Sequence, residues 1–559
     1  MNVLARSVVL ALLATPFAAA QVVPGQPPPR LLLLVSVDQL ASWVHAAAAP
    51  HFAPDGGFRR LAQQGAWFPQ CAYRHACSET GPGHATIGTG APASSHGIVR
   101  NDWWSPADGK VVYCAEDEVA ALPEWPEAAR RGPGRLMAST FADSLKAHVP
   151  GSKVASVAWK DRSAILMVGR AADCVAWFET STGNLVTNRA WADEAPAWLQ
   201  QFARERVIDR WFGQSWERVA PDAAYAGLVD DRPFETPHGN GRQQRTLPQP
   251  LTGGAAKPDK AYWSQLYASP FGNTMVRLAA EAAIDGLQLG ADATPDLLCV
   301  GFSSTDSIGH AFGPDSVEAR DAMLRLDADL GRLFAAIDQR LGTASWAVFL
   351  TADHGVGPTP EWAKAQRVDA GRGLLQSMVR AAGEKALQDR FGSLGEGRRF
   401  IAYVGDYGVF LDEAGLRAVA GAQPVDEVRL VASRLVATAA MAVRGIQWAI
   451  ASTDLQREPT GGNPLREALL AGFYPGRGGD VQLVVKPYWV EGATPATHGS
   501  PHPYDREVVG CLSGPGIVPG TYAAAITPGF GAVAFARLLG IPVPAAAVDT
   551  IPAGLFGWR

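Results

Sequence analysis

The chain has 559 residues, 47% of them hydrophobic and 18% charged, with a net charge of −5 at neutral pH. That length can bury a large core, and the composition is that of a globular protein, not of a disordered or membrane-embedded one. A mildly acidic balance argues against broad nucleic-acid or anionic-membrane binding, so an anionic ligand has to be met by a local positive site.

Taken in chain order, the first segment carries Arg6, an apolar stretch from Ser7 to Phe17, and Ala18-Ala19-Ala20 ahead of Gln21. A basic start, an apolar middle and small residues before a cleavage point describe a secretory signal peptide. Residues 1–20 are therefore expected to leave near Ala20/Gln21, giving a secreted or periplasmic protein. The apolar stretch is short and is followed by the Pro-rich Pro24–Pro29, and no later stretch reaches spanning length, so no stable membrane span is expected.

Residues 21–559 read as one α/β domain with a central, mostly parallel sheet flanked by helices and interrupted by long insertions. Three near-continuous apolar runs carry this reading, because such runs form parallel strands buried on both faces. They are Leu31 to Asp38, Leu297 to Asp306, and Trp346 to Asp353-His354, each ending on an aspartate. A fourth, Val154 to Trp159, ends on Lys160-Asp161-Arg162. From about 175 to 290 the chain is rich in Trp and punctuated by Pro without a clean period, which reads as an insertion decorating the sheet. The α/β pattern returns with an amphipathic helix from Ser316 to Leu341. A second insertion is expected at about 360–490, with a turn at Thr460-Gly461-Gly462-Asn463-Pro464. A strand from Glu507 to Leu512 and a helix from Gly531 to Leu539 complete the core.

Ligands of open α/β sheets bind beyond the carboxyl ends of the strands, so Asp38, Asp306 and Asp353 are placed to meet at one site. His310 follows Asp306 at the i+4 spacing of one helix face, and His354 directly follows Asp353. Three carboxylates with two histidines suggest a dinuclear metal centre. His498 lies in the Gly/Pro-rich loop from Ala496 to Asp505, where it is either a ligand or simply exposed. Thr80 opens Thr80-Gly81-Pro82-Gly83-His84, so its hydroxyl stands before a probable helix N-terminus, either as a nucleophile or as a helix cap. His84 reads as a supporting or packed residue. Lys160 and Arg162, taken alone, are ordinary surface cations. Six cysteines in an exported protein make one or two disulfides plausible, with Cys71 and Cys77 the better candidates and Cys299 a buried thiol.

Asp38, Thr80-Gly81-Pro82-Gly83-His84, Gly97 to Trp103, Lys160-Asp161-Arg162, Asp306 with His310, Asp353-His354-Gly355 and Thr497-His498-Gly499 stand in an order that resembles the alkaline phosphatase superfamily. The resemblance is to its bacterial secreted phosphate-monoesterase branch with a threonine nucleophile, and it runs from about residue 31 to 539. It implies two zinc ions, one held by Asp306, His310 and His498, the other by Asp38, Asp353 and His354 with Thr80. It also implies a phosphothreonine intermediate at Thr80, small phosphate-ester substrates contacted by Asn101, Lys160 and Arg162, and no third metal, because the lysine fills that space. Arg100 departs from the pattern, which favours glycine there. A sulfatase would need Pro and Arg at +2 and +4 from its nucleophile, where Cys77 has Glu79 and Gly81. The remaining alternatives are a phosphodiesterase or nucleotide pyrophosphatase of the same superfamily and a non-catalytic secreted metal-binding protein.

Overall fold

Leu31–Val37 (β1) is buried along its whole length and forms the spine of the fold. The computed structural model describes residues 27–236, 244–457, 459 and 461–557. The expected leader at 1–20 and Thr460 of the expected turn lie outside the described residues, while Gly461 and Gly462 turn the chain with positive φ into a helix capped by Asn463.

The principal sheet is built, in chain order, from β1, Ala66–Trp67 (β2), Val154–Ala158 (β3), Cys174–Glu179 (β4), Asn184–Val186 (β5), Asp296–Phe302 (β6) and Trp346–Thr351 (β7). Past a second lobe, Cys511–Ser513 and Gly520–Thr521 complete its nine strands on the edge beside β7. Across the middle the order is β7-β1-β6-β3-β4, and every one of those neighbours is parallel. Val37 pairs with Phe302 and Ser36 with Thr351, so the carboxyl ends of three strands lie level. Every residue of β6 and β7 is buried, which is why their sequences show no alternation.

Three helices begin beside the crevice beyond those ends, Thr80–Thr89 (α1), Asp161–Val168 (α2) and Ser304–Phe312 (α3), and Val317–Leu341 (α4) follows α3 and packs against Pro270–Leu287 and Gly57–Gln64. Helix α4 corresponds to the helix expected from Ser316, with Ser316 itself as the cap accepting from the Ala319 N–H at 3.0 Å. Segment 175–290, expected to decorate the sheet, supplies most of β4 and all of β5, and its helix Pro270–Leu287 buries one face against the core. The strand expected at Glu507–Leu512 is shorter and later. Glu507 and Val508 make only single bridges, to Ala72 and Ala41, after a one-turn helix at Pro503–Arg506.

The chain between 360 and 490 builds a lobe of its own. Ile401–Gly405 (β8), Gly408–Leu411 (β9), Ile446–Ala451 (β10) and Val481–Val485 (β11) form a four-stranded sheet in the order β8-β9-β11-β10, every pair antiparallel. Helices Leu375–Phe391 (α5) and Val425–Met441 (α6) pack on it around Val379, Leu387, Val436 and Val481, a core separate from that of the large sheet.

The expected disulfides are not formed: all six cysteines are free and buried. Cys71 sits beside the Thr351 hydroxyl at 4.0 Å, and burial drives its thiol far up, so it stays protonated and inert.

Candidate active site

Asp38 follows β1 and is fully buried. Asp353 stands two residues past β7, and Asp306 lies in the first turn of α3 instead of at the end of β6, with His310 one turn further on. The last part of the expected run is thus helix, because Ser303 leaves the strand and the chain turns at once. His498 comes from the loop after the second lobe. The structure brings all of these together, as the sequence reading required.

Two sets of ligand-type atoms result, each confined within 4.8 Å: Asp306, His310 and His498, and Asp38, His84 and Asp353. The first matches the expected set. In the second, His84 joins where only support was expected, its Nε2 3.4 Å from Asp38 and its Nδ1 3.5 Å from Asp353. His354 Nε2 is 3.3 Å from Asp353 and 3.9 Å from Asp306, facing the space between the sets. Gly83 makes this approach possible. A Cβ there would lie 2.0 Å from the Asp353 carbonyl oxygen.

All four histidines share one hydrogen-bond design. Nδ1 of His84, His310, His354 and His498 faces the carbonyl oxygen of Thr80, Ala496, Gly355 and Ser78 at 2.8–2.9 Å. A carbonyl only accepts, so Nδ1 carries the proton and Nε2 keeps its lone pair for the crevice. Burial pushes His84 down to about 4, and burial followed by the ring of His498 pushes His354 well below the ordinary value, keeping both neutral. His310 differs. Burial opposes its charge, but Asp306 beside it more than offsets this and raises it.

Oδ1 of Asp38, Oδ2 of Asp353 and Nε2 of His84 and His354 are buried without a hydrogen bond, and Oδ2 of Asp38 is met by the Lys160 ammonium at 2.9 Å. Orphaned buried groups are costly, and burial with the nearby Asp38 charge pushes the Asp353 carboxyl well up. Carboxylates and neutral imidazoles that lack partners are what a pair of divalent cations would satisfy, so the residues fit a dinuclear centre.

Lys160 and Arg162 flank the nucleophile candidate. Lys160, at the cap of α2, lies 2.9 Å from Asp38, 2.7 Å from Asp306 and 3.3 Å from Thr80 Oγ1. Burial works against its charge, yet Asp306 and Asp38 hold it well above the ordinary lysine value. Arg162 reaches Thr80 Oγ1 at 3.4 Å and is steadied by the Tyr113 hydroxyl at 3.3 Å. Tyr113 in turn donates to Asp161, which Arg131 holds at 2.7 Å. Thr80 is the first residue of α1, not a cap before it. Asn101 accepts from the Gly81 N–H at 2.7 Å, which fixes its carbonyl and frees its NH2 to donate into the crevice.

Three contributors escaped the sequence reading. Gln39, in the left-handed region at φ 67°, donates from its side chain to Asp306 at 2.8 Å and from its backbone to Asp353 at 3.1 Å. Glu79 accepts from the Asn101 N–H at 2.7 Å and pairs with Arg100 at 3.5 Å. Arg100 lies over the Tyr407 ring at 4.6 Å, and the Tyr407 hydroxyl donates to the His498 carbonyl at 2.8 Å. None of the three carried a local sequence signal, since glutamine does not announce a positive φ and the other contacts depend on tertiary approach.

A family model described as type I phosphodiesterase / nucleotide pyrophosphatase matches residues 32–415. The chain is 30% identical over 502 residues to a Myroides odoratus protein named calcium-transporting ATPase, covering 88% of each. It is 30% identical over 508 residues to alkaline phosphatase PafA of Elizabethkingia meningoseptica, covering 90% of each. The crystal structure of wild-type alkaline phosphatase PafA superposes with a TM-score of 0.87 at 28% identity, over 95% of this chain and 99% of that one.

Proposed function

The chain belongs to the alkaline phosphatase superfamily, within the type I phosphodiesterase / nucleotide pyrophosphatase family and beside bacterial alkaline phosphatases, and from that premise we propose that it hydrolyses phosphate monoesters through a phosphothreonine at Thr80. The observation that carries this reading is the Thr80 hydroxyl, held by Lys160 and Arg162 at 3.3 and 3.4 Å beside both sets of ligand atoms.

Thr80 opens a helix, so its oxygen and an incoming phosphoryl group lie at the positive end of the dipole. The Oγ–P bond forms as the ester P–O bond breaks and the alcohol departs with a proton. Water then cleaves the phosphothreonine, releasing inorganic phosphate and restoring the hydroxyl. Lys160, Arg162 and the Asn101 NH2 answer the charge on the non-bridging oxygens. Lys160 also offsets Asp38 and Asp306, whose carboxylates would otherwise repel a dianion. Two metal ions, zinc in this reading, would be held by Asp306, His310 and His498 and by Asp38, Asp353 and His354 with Thr80, and would supply Lewis-acid stabilisation to the attacking and leaving oxygens. His84 is close enough to Asp38 and Asp353 to support or share the second set. The leader points to export, which amino-terminal sequencing of protein recovered outside the cytoplasm would check.

The matched family model also names phosphodiesterases. A diester carries one charge fewer and has less use for two cations at the nucleophile, which favours the monoester reading. Purified protein assayed on p-nitrophenyl phosphate, bis-p-nitrophenyl phosphate and p-nitrophenyl sulfate, with metal analysis of the same sample, decides. We expect monoester turnover to dominate, two metals per chain, and loss of activity on chelation that zinc restores. Preferential diester turnover, or full activity without metal, overturns the reading.

A further inference from the structure

A cavity of about 330 Å³ opens from the nucleophile's surroundings to solvent between the large sheet and the second lobe. Its inner wall holds Asn101, His310 and His498, so it adjoins only one of the two ligand sets. Thr80, Lys160 and Arg162 are not among its lining residues, so the phosphoryl seat of this reading lies outside it, next to the wall that holds Asn101. In an in-line displacement the leaving oxygen faces away from Thr80 Oγ. The space on the His310 and His498 side is therefore where the alcohol part of an ester would lie.

The charges along this cavity are unevenly committed. Arg477 donates to the carbonyl oxygens of Gly97 and Arg135 at 2.6 and 2.7 Å and is sandwiched between Trp103 and Tyr474. Arg100 is paired with Glu79 and spread over the Tyr407 ring. That leaves Asp102, from the large domain, and Asp406, from the turn between β8 and β9. Both are exposed at the mouth and neither makes an ion pair among the described residues, although the charge of Arg162 acts on Asp102 and partly offsets the rise that burial gives its carboxyl. Among the described residues Asp406 accepts a side-chain hydrogen bond from the Gln376 amide. Tyr403 lines the cavity with them and with Glu79, stacked at 14° on Trp104 and braced by Phe410. Burial raises the Tyr403 phenol, with the three carboxylates of Asp406, Asp102 and Glu79 adding to the shift.

We propose that this cavity seats the leaving alcohol and favours alcohols that carry an ammonium group over neutral and, more strongly, anionic ones; the inference rests on the phosphomonoesterase reading. An ammonium would lie between two unpaired carboxylates and beside an aromatic ring, while an anionic substituent would meet the same carboxylates with both arginines already engaged.

The test uses three phosphate esters of nearly equal size on the metal-loaded enzyme: 2-aminoethyl, ethyl and carboxymethyl phosphate. Their leaving groups differ in reactivity, so the readout is how the kcat/KM ratios move between wild type, Asp406→Asn and Asp102→Asn. Each ratio is internal to one preparation and independent of the folded fraction. Exposed charge pairs are modest, so each substitution should lower the aminoethyl-to-ethyl ratio by roughly three- to tenfold and raise the carboxymethyl-to-ethyl ratio. High salt should move the wild-type ratios the same way. Ratios that stay within about twofold in both variants and in salt overturn the inference while leaving the monoesterase intact. A wild type that turns over none of the three esters rejects the proposed function and this inference with it.

Discussion

The large sheet and the second lobe give different things to one site. Every candidate ligand except His498 sits at a strand end of the sheet or in the first turns of the helices behind it, as do Thr80, Lys160 and Arg162. The lobe supplies no candidate ligand among the described residues. It contributes the Tyr407 hydroxyl, which holds the His498 backbone, and one wall of the cavity. Changes in the sheet should therefore abolish or gravely slow the chemistry, whereas changes in the lobe should adjust it.

The largest effect is expected at Thr80. Thr80→Ala should keep fold and metals yet lose the covalent phospho-enzyme, with kcat lower by roughly three orders of magnitude or more. Thr80→Ser should retain part of the activity. Acid quench and mass spectrometry locate the phosphoryl group, and its recovery on another residue of wild-type protein would displace Thr80 from this role.

Next come the two cations. A charge-assisted hydrogen bond is worth roughly 1.5–3 kcal/mol, so Lys160→Ala and Arg162→Ala should each cost on the order of ten- to a hundredfold in kcat/KM. The loss should be greater on a monoester than on a diester. Equal losses on the two would mean that these residues shape the site without setting its preference.

The same division decides what could be read without coordinates. The buried strands were legible because Leu31–Val37, Asp296–Phe302 and Trp346–Thr351 admit almost no polar residue, and the pairing of Asp306 with His310 followed from helical spacing. Contacts that depend on tertiary approach were not. His84 nears Asp353 because Gly83 lets α1 touch the end of β7, and nothing local distinguishes that from ordinary packing. Tyr407 meets His498 across 91 positions. The lobe was recognised only as an interruption, since its strand order β8-β9-β11-β10 joins segments that carry no catalytic signature. Cys71 and Cys77 looked like a bridge from their flanking loop, and burial made each an isolated thiol.

A smaller effect is expected where lobe and ligand meet. Tyr407→Phe keeps the ring under Arg100 and removes one hydrogen bond to the His498 carbonyl, worth about 1 kcal/mol. It should make the first metal set release its ion a few times faster to a chelator and lower kcat a few-fold with KM unchanged. Unchanged metal release with normal kcat would show that the lobe does not hold His498 in place.

The smallest effect tests whether the lobe packs as its own unit. Arg434 on α6 grips Asp454 with two bonds, at 2.8 and 2.7 Å. Those bonds, more than burial opposes, hold the Asp454 carboxyl below its usual 3.8. A depressed carboxyl contributes stability that is present above the unfolded value and lost as pH falls through the folded one. The pair is partly exposed, so screening limits it to about 0.5–1 kcal/mol. Asp454→Asn should thus speed amide exchange in α6 and the neighbouring β10 at neutral pH, with the difference from wild type vanishing in acid. Exchange in β1, β6 and β7 should not change, because their core is separate from that of the lobe. If those central strands loosen in step with α6, the two regions unfold together and the contrast between a chemical sheet and an adjusting lobe has no energetic basis.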